Sequence, residues 1–99
     1  MSTITFAEYD AQARGQGFEE VLERHWAADL VLPTHAHPFA VKALVVQGEM
    51  WLTVGDDTRH LRAGDTFELE RDVAHAERYG AEGATYWVAR RYGDASASR

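Results

Sequence analysis

The chain has 99 residues, 45% hydrophobic and 26% charged, with a net charge of −6 and no cysteine. That length suits one domain. The ten basic residues are scattered, so no basic stripe is available for phosphates, which argues against nucleic-acid binding as an independent activity. Without cysteine there can be no disulfide and no thiolate metal site, which fits a reducing cytoplasm. No run of about 18 apolar residues predicts a membrane helix, and MSTITFAEYD lacks the pattern of a secretion signal. A domain this small buries roughly 60–70% of the surface its unfolded chain exposes, so a bound metal or a second copy would add useful stability.

Thr5-Phe6-Ala7-Glu8 has the form of a capping box, with hydroxyl and carboxylate each reaching the other residue's backbone N–H. A short helix over about Phe6 to Arg14 follows, closed by Gly15 and Gly17. The next segment, GFEEVLERHWAADL, places Phe18, Val21, Leu22 and Trp26 at helical spacing. Local propensity alone makes it a helix.

Beyond Pro33 the chain reads as β. Phe39–Val46 is apolar and partly β-branched, as a strand buried on both faces would be. Trp51–Val54, Thr58–Leu61, Thr66–Leu69, Ala74–Tyr79 and Ala84–Arg91 read as further strands. Turns are expected at Gly55-Asp56-Asp57 and Ala63-Gly64-Asp65, and a loop at Glu70-Arg71-Asp72. Short strands with turns every eight to twelve residues indicate an all-β sandwich or barrel. Gly93–Arg99 is small and polar and is expected to be a loose tail. The organisation is therefore a helical segment over 1–17, a β domain over 18–92 and a tail over 93–99.

Two of the five histidines are separated by one residue, His35 and His37. In a strand such residues share a face, roughly 6.6 Å apart. They fit either a chelating pair or an ordinary polar strand end. His75 adds a third imidazole in a later β segment. His25 and His60 have no spacing that pairs them with these, and His60 reads as a solvated strand residue. Trp26, Trp51 and Trp87 read as core or dimer-packing residues.

The layout His35, His37, Gly48 and then Gly64, His75 resembles the two sequence motifs of the cupin superfamily. VVQGEMWLTV and LRAGDTFEL also resemble its strands and Gly-Asp turn. The resemblance covers about Phe18 to Arg91. It implies a cupin-type antiparallel β-barrel or jelly roll with a short N-terminal helix, in which GFEEVLERHWAADL is strand despite its helical pattern. By resemblance, His35, His37 and His75 are ligands to a divalent transition metal. Nitrogen ligands suit zinc, iron, nickel, manganese or copper without choosing among them.

The departures from the motifs are informative. The family glutamate is Val41, which cannot ligate. The second motif's proline, glycine and asparagine are Glu70, Asp72 and Tyr79. Strand parity aims Glu77 at the same side as His75, so Glu77 either fills the carboxylate role, acts as a base, or meets water at the rim. Tyr79 and Val41 are expected to shape the pocket.

Three neutral imidazoles would leave a divalent ion its full charge, favouring an anionic ligand. The resemblance implies metal-assisted chemistry on a small anionic or oxygenated molecule, of dioxygenase, isomerase or decarboxylase type. The other reading is a ligand-sensing or carrier barrel without catalysis, like the effector domains of sugar-responsive regulators. A homodimer is the expected assembly, and no nucleic acid or membrane partner is expected.

Overall fold

The computed structural model describes residues 4–92. Helix α1 (Phe6–Gly15) starts with the expected box: the Thr5 side chain accepts from the Glu8 backbone, and Glu8 accepts from the Thr5 backbone. Such a cap contributes about 1 kcal/mol. Six strands follow: β1 (Glu20–Trp26), β2 (Val31–His35), β3 (Ala40–Val54), β4 (Asp57–Arg62), β5 (Thr66–Leu69) and β6 (His75–Arg91).

β1 settles the ambiguous segment as strand. It pairs antiparallel with β6 along its whole length, from Glu20 opposite Arg90 to Trp26 opposite Ala84. A continuous ladder outweighs the few tenths of a kcal/mol per residue that helix propensity offers.

Two pairs of expected strands are single long ones. β3 runs unbroken through Gly48, and β6 runs through Gly80–Gly83. Each bends midway and so serves two faces. The C-terminal half of β6 lies between β1 and the first half of β3, which also pairs β5. The N-terminal half of β6 lies between β2 and the second half of β3, which also pairs β4.

The bends change side-chain parity. On β3, Val41, Ala43 and Val45 are buried before the register shifts, and Met50 and Leu52 after them. On β6 the inward set changes from His75, Glu77 and Tyr79 to Ala84, Tyr86 and Val88. A β-bulge inserts one residue, flips the face and bends the strand. The inward residues thus meet in one core inside an antiparallel barrel of the jelly-roll kind.

The expectation that Phe39–Val46 is buried on both faces is corrected. Val41, Ala43 and Val45 are buried, whereas Ala40, Lys42, Leu44 and Val46 are half-buried. Helix α1 covers the outer side only in part, through Tyr9, Ala13, Phe18 and Ala89 with Leu44 and Trp87 packed around them. Lys42 instead reaches along the surface to Gln16, 2.7 Å away.

The tryptophans divide by face. Trp26 packs on the core and stacks on Tyr79, Trp87 meets Phe6 edge-on, and Trp51 stands on the outer sheet face. His60, expected to be free in solvent, is exposed but stacks on Trp51 and contacts Glu49 at 2.6 Å. The expected loose tail over 93–99 lies outside the described residues. No helix among the described residues is long and apolar enough to cross a membrane.

Candidate metal centre

His35 ends β2, and His75 opens β6 directly across from it. His37 is not in a strand, contrary to the parity argument. It lies in the loop after β2. β2 has already ended at His35, and Pro38, next to His37, cannot donate to a ladder. The loop is held by a 2.7 Å bond from the Asp72 backbone N–H to the His37 carbonyl. Asp72, at the family's glycine position, has φ +64°. Aspartate tolerates this left-handed region better than most residues. This bond ties the loop carrying His37 to the loop that leads into His75.

The three rings converge. Ring centroids are 4.4 Å apart for His35–His75, 4.9 Å for His35–His37 and 5.2 Å for His37–His75. One nitrogen from each lies within 4.8 Å of the other two. His35 Nδ1 is 2.7 Å from the Pro33 carbonyl, and His75 Nδ1 is 2.9 Å from the Val73 carbonyl. A carbonyl only accepts, so both Nδ1 atoms carry a proton, and in the neutral form of each ring the Nε2 lone pair is the one left to ligate. His37 stacks on Phe39 at 4.8 Å. Burial, together with the nearby His75 and His35 imidazoles, holds His37 below the usual histidine range and favours its neutral form.

Glu77 points inward and is 6% exposed, so the water-facing rim reading fails. Its Oε2 lies 3.3 Å from His35 Nε2 and 3.4 Å from His75 Nε2. Its Oε1 accepts from the buried Tyr79 hydroxyl. Burial alone would raise the Glu77 carboxyl, but its contacts with His75 and Tyr79 outweigh this and hold it below the usual range. The Glu77 contact lifts His75 above the usual histidine range. Burial and the neighbouring Tyr86 and Glu77 push Tyr79 far above the usual phenol range, so it stays a donor.

The donor set fits a metal ion. An imidazole lone pair and a carboxylate oxygen repel unless a cation or a proton lies between them. A shared proton would draw each pair to about 2.7–2.9 Å. Ligands on one tetrahedral ion with bonds of about 2.0–2.1 Å stand roughly 3.3–3.4 Å apart. The Glu77 Oε2 distances to His35 and His75 are of the second kind, whereas the three imidazole nitrogens lie within 4.8 Å of one another.

Beside the histidines is a cavity of about 30 Å³. Its lining includes Val41, one of the two expected pocket residues, together with His37, His75 and Glu77. Tyr79 is not in the lining and stands behind Glu77 instead. Sequence reasoning missed Phe39, Tyr86, Val88 and Arg90 of the same wall. The alternation Tyr86, Val88, Arg90 carried a usable signal, because an arginine in an apolar inward series is unusual.

A family model described as the AraC-like ligand-binding domain matches residues 18–91. The chain belongs to that family. Its barrel is a small cupin domain, and solved cupins share the fold. KdgF from Halomonas sp. is 17% identical, with 78% of this chain and 71% of that one covered at a TM-score of 0.67. An RmlC-like cupin from Shewanella frigidimarina is 21% identical, with 77% and 68% covered at 0.66. The DMSP lyase DddQ from Ruegeria pomeroyi is 26% identical at 0.68, with 76% of this chain but only 38% of the lyase covered. No curated protein matches the chain significantly.

Proposed function

We propose that this cupin domain holds one divalent transition-metal ion through His35, His37, His75 and Glu77, and acts on a small anionic or oxygenated organic molecule. The observation that carries this is the convergence of two Nδ1-protonated histidines on one Glu77 oxygen. Glu77 takes the role that Val41 has lost, from the neighbouring strand. Both of its oxygens are engaged, one by the imidazoles and one by Tyr79, which favours holding the ion over moving a proton.

A bound ion would act as a Lewis acid that polarises an oxygen or lowers the pKa of water. The chain's own part is positional. The Pro33 and Val73 carbonyls orient two rings, Tyr79 fixes the carboxylate, and Phe39, Val41, Phe67, Leu69 and Val88 wall the cavity with apolar surface. A carboxylate ligand brings the site's charge to about +1, which still favours an anion. The DMSP lyase among the structural relatives supports a catalytic reading. The family's description as a ligand-binding domain supports the other one, a sensing or carrier barrel. We also place the chain in the cytoplasm as a homodimer, which light scattering of the purified protein tests.

Elemental analysis combined with thermal melting tests the metal reading. About one ion per chain is expected. An ion at a thousandfold its dissociation constant adds about 4 kcal/mol, and for a domain of this size each kcal/mol moves Tm by about 4–8 °C. A chelator should therefore lower Tm by more than ten degrees. His75→Ala should lose metal uptake while keeping the β circular-dichroism spectrum. Substoichiometric metal, together with a Tm indifferent to chelator, would overturn the proposal. Turnover of any organic acid by the loaded protein then separates enzyme from sensor.

A further inference from the structure

Arg90 lies on the inner face of β6, two residues beyond Val88 and four beyond Tyr86, and it helps line the cavity beside the histidines. Its guanidinium is divided between two environments. Nη1 faces outward, 3.5 Å from the Glu20 carboxylate and 3.3 Å from the Tyr92 hydroxyl. Nε is buried and has no hydrogen-bond partner. The plane rests over Phe39, with the guanidinium carbon 4.9 Å from the ring centre. Across the β3 ladder, the neighbour of Arg90 is Val41, which offers no acceptor.

A buried, charged N–H left unpaired is costly, because it loses its hydration without gaining an acceptor. Proteins retain such a donor where something else supplies the acceptor. Here the donor belongs to a wall residue of a cavity already flanked by the metal-type donor set. The cavity has room for two or three water-sized groups, at about 10–15 Å³ for each. That is about the size of a carboxylate group. Arginine's planar fork matches a carboxylate in two-point geometry.

We propose that Arg90 is the anion anchor of this cavity, and that the site takes a short-chain carboxylate held between Arg90 and the histidine cluster. The proposal deepens the metal-centre reading and relies on it for the second anchor. Phe39 keeps the guanidinium flat against the wall, while Glu20 and Tyr92 hold its outer edge, so the fork is set before the ligand arrives. A larger substrate fits only if its carboxylate end enters and the remainder stays at the mouth.

Calorimetric titration of the full chain with glycolate and with glycolamide, its neutral counterpart of the same size, tests this. In zinc-loaded protein, Arg90→Gln should weaken glycolate binding by about 10–100-fold, the worth of a charge-assisted hydrogen bond. Glycolamide affinity should change by less than about threefold, and zinc uptake should persist. Arg90→Lys, which keeps the charge and loses the fork, should fall between the two. Unchanged glycolate affinity in Arg90→Gln would overturn the proposal, as would equal weakening of both probes or no glycolate binding to zinc-loaded wild type. If wild type takes up no zinc, the metal reading fails by itself. Arg90 is then judged in the metal-free wild type, where glycolate must still be preferred over glycolamide. This arm also decides the matter if the variants do not fold.

Discussion

Gly48→Ala is the sharpest test of how the barrel carries its site. Gly48 lies where β3 crosses the bend of β6, opposite Ala84, with φ +78°. A Cβ there would stand 2.2 Å from the Gly83 carbonyl oxygen and 2.9 Å from the Ala84 Cα. Both obstacles are backbone, so no rotamer change relieves them, and the strands must part by about 1 Å to reach ordinary contact. The positive φ costs an alanine about 1–2 kcal/mol, and displaced backbone adds about 1–3 kcal/mol of strain. The sum, roughly 2–5 kcal/mol, is a large share of the about 5–15 kcal/mol that holds a domain folded. Gly55→Ala is the control: its φ is +60°, and an added Cβ would meet nothing within 4 Å. It should lose only the conformational share, about 1 kcal/mol. In urea, with a slope near 2 kcal/mol/M, the Gly48 variant should unfold about 2 M earlier than wild type and the Gly55 variant about 0.5 M earlier. Equal losses in the two variants, within about 0.5 kcal/mol, would show that the crossing is not tightly packed and would refute this account of the bend.

Two other perturbations address the site and the core. Glu77→Gln should weaken metal binding by at least about tenfold, judged against the effect of losing groups that support metal ligands. Adding Val41→Glu should recover part of the loss by returning a carboxylate to the cavity wall; no recovery in competition with a metal-sensitive dye would count against the relocated carboxylate. Burial pushes Tyr9 and Tyr86 up to about 12. Between pH 10 and 12 the unfolded chain therefore holds fewer protons than the folded one, and stability falls as pH rises, by about 1.4 kcal/mol per pH unit for each group. Tyr9→Phe should remove one share of that slope in denaturant melts at pH 9 and 11, and identical slopes would contradict the burial assigned to Tyr9.

Local spacing was enough to show the capping box, the turns and the β character beyond Pro33, while the three histidines that the structure brings together were singled out by resemblance to the cupin motifs. These features depend on residues a few positions apart, or on motifs whose separation along the chain is itself the signal. Reading Glu77 as inward also needed only parity, because no bend separates it from His75. Strand β1 shows the limit of local information. Its residues prefer a helix, and only the ladder to β6, 58 to 70 residues away in sequence, makes them extended.

What tertiary structure alone decided is which groups face each other across strands. Both long strands change parity at their bends, so a period-two count started at one end points to the wrong face at the other. Arg90 is on the far side of such a bend from His75, and only the fold brings the two to one cavity. The same physics lets a carboxylate on β6 stand in for one missing from β3. A metal site needs donor atoms a few ångströms apart in space, and a closed barrel can supply them from either strand, so the polypeptide order does not say which one does.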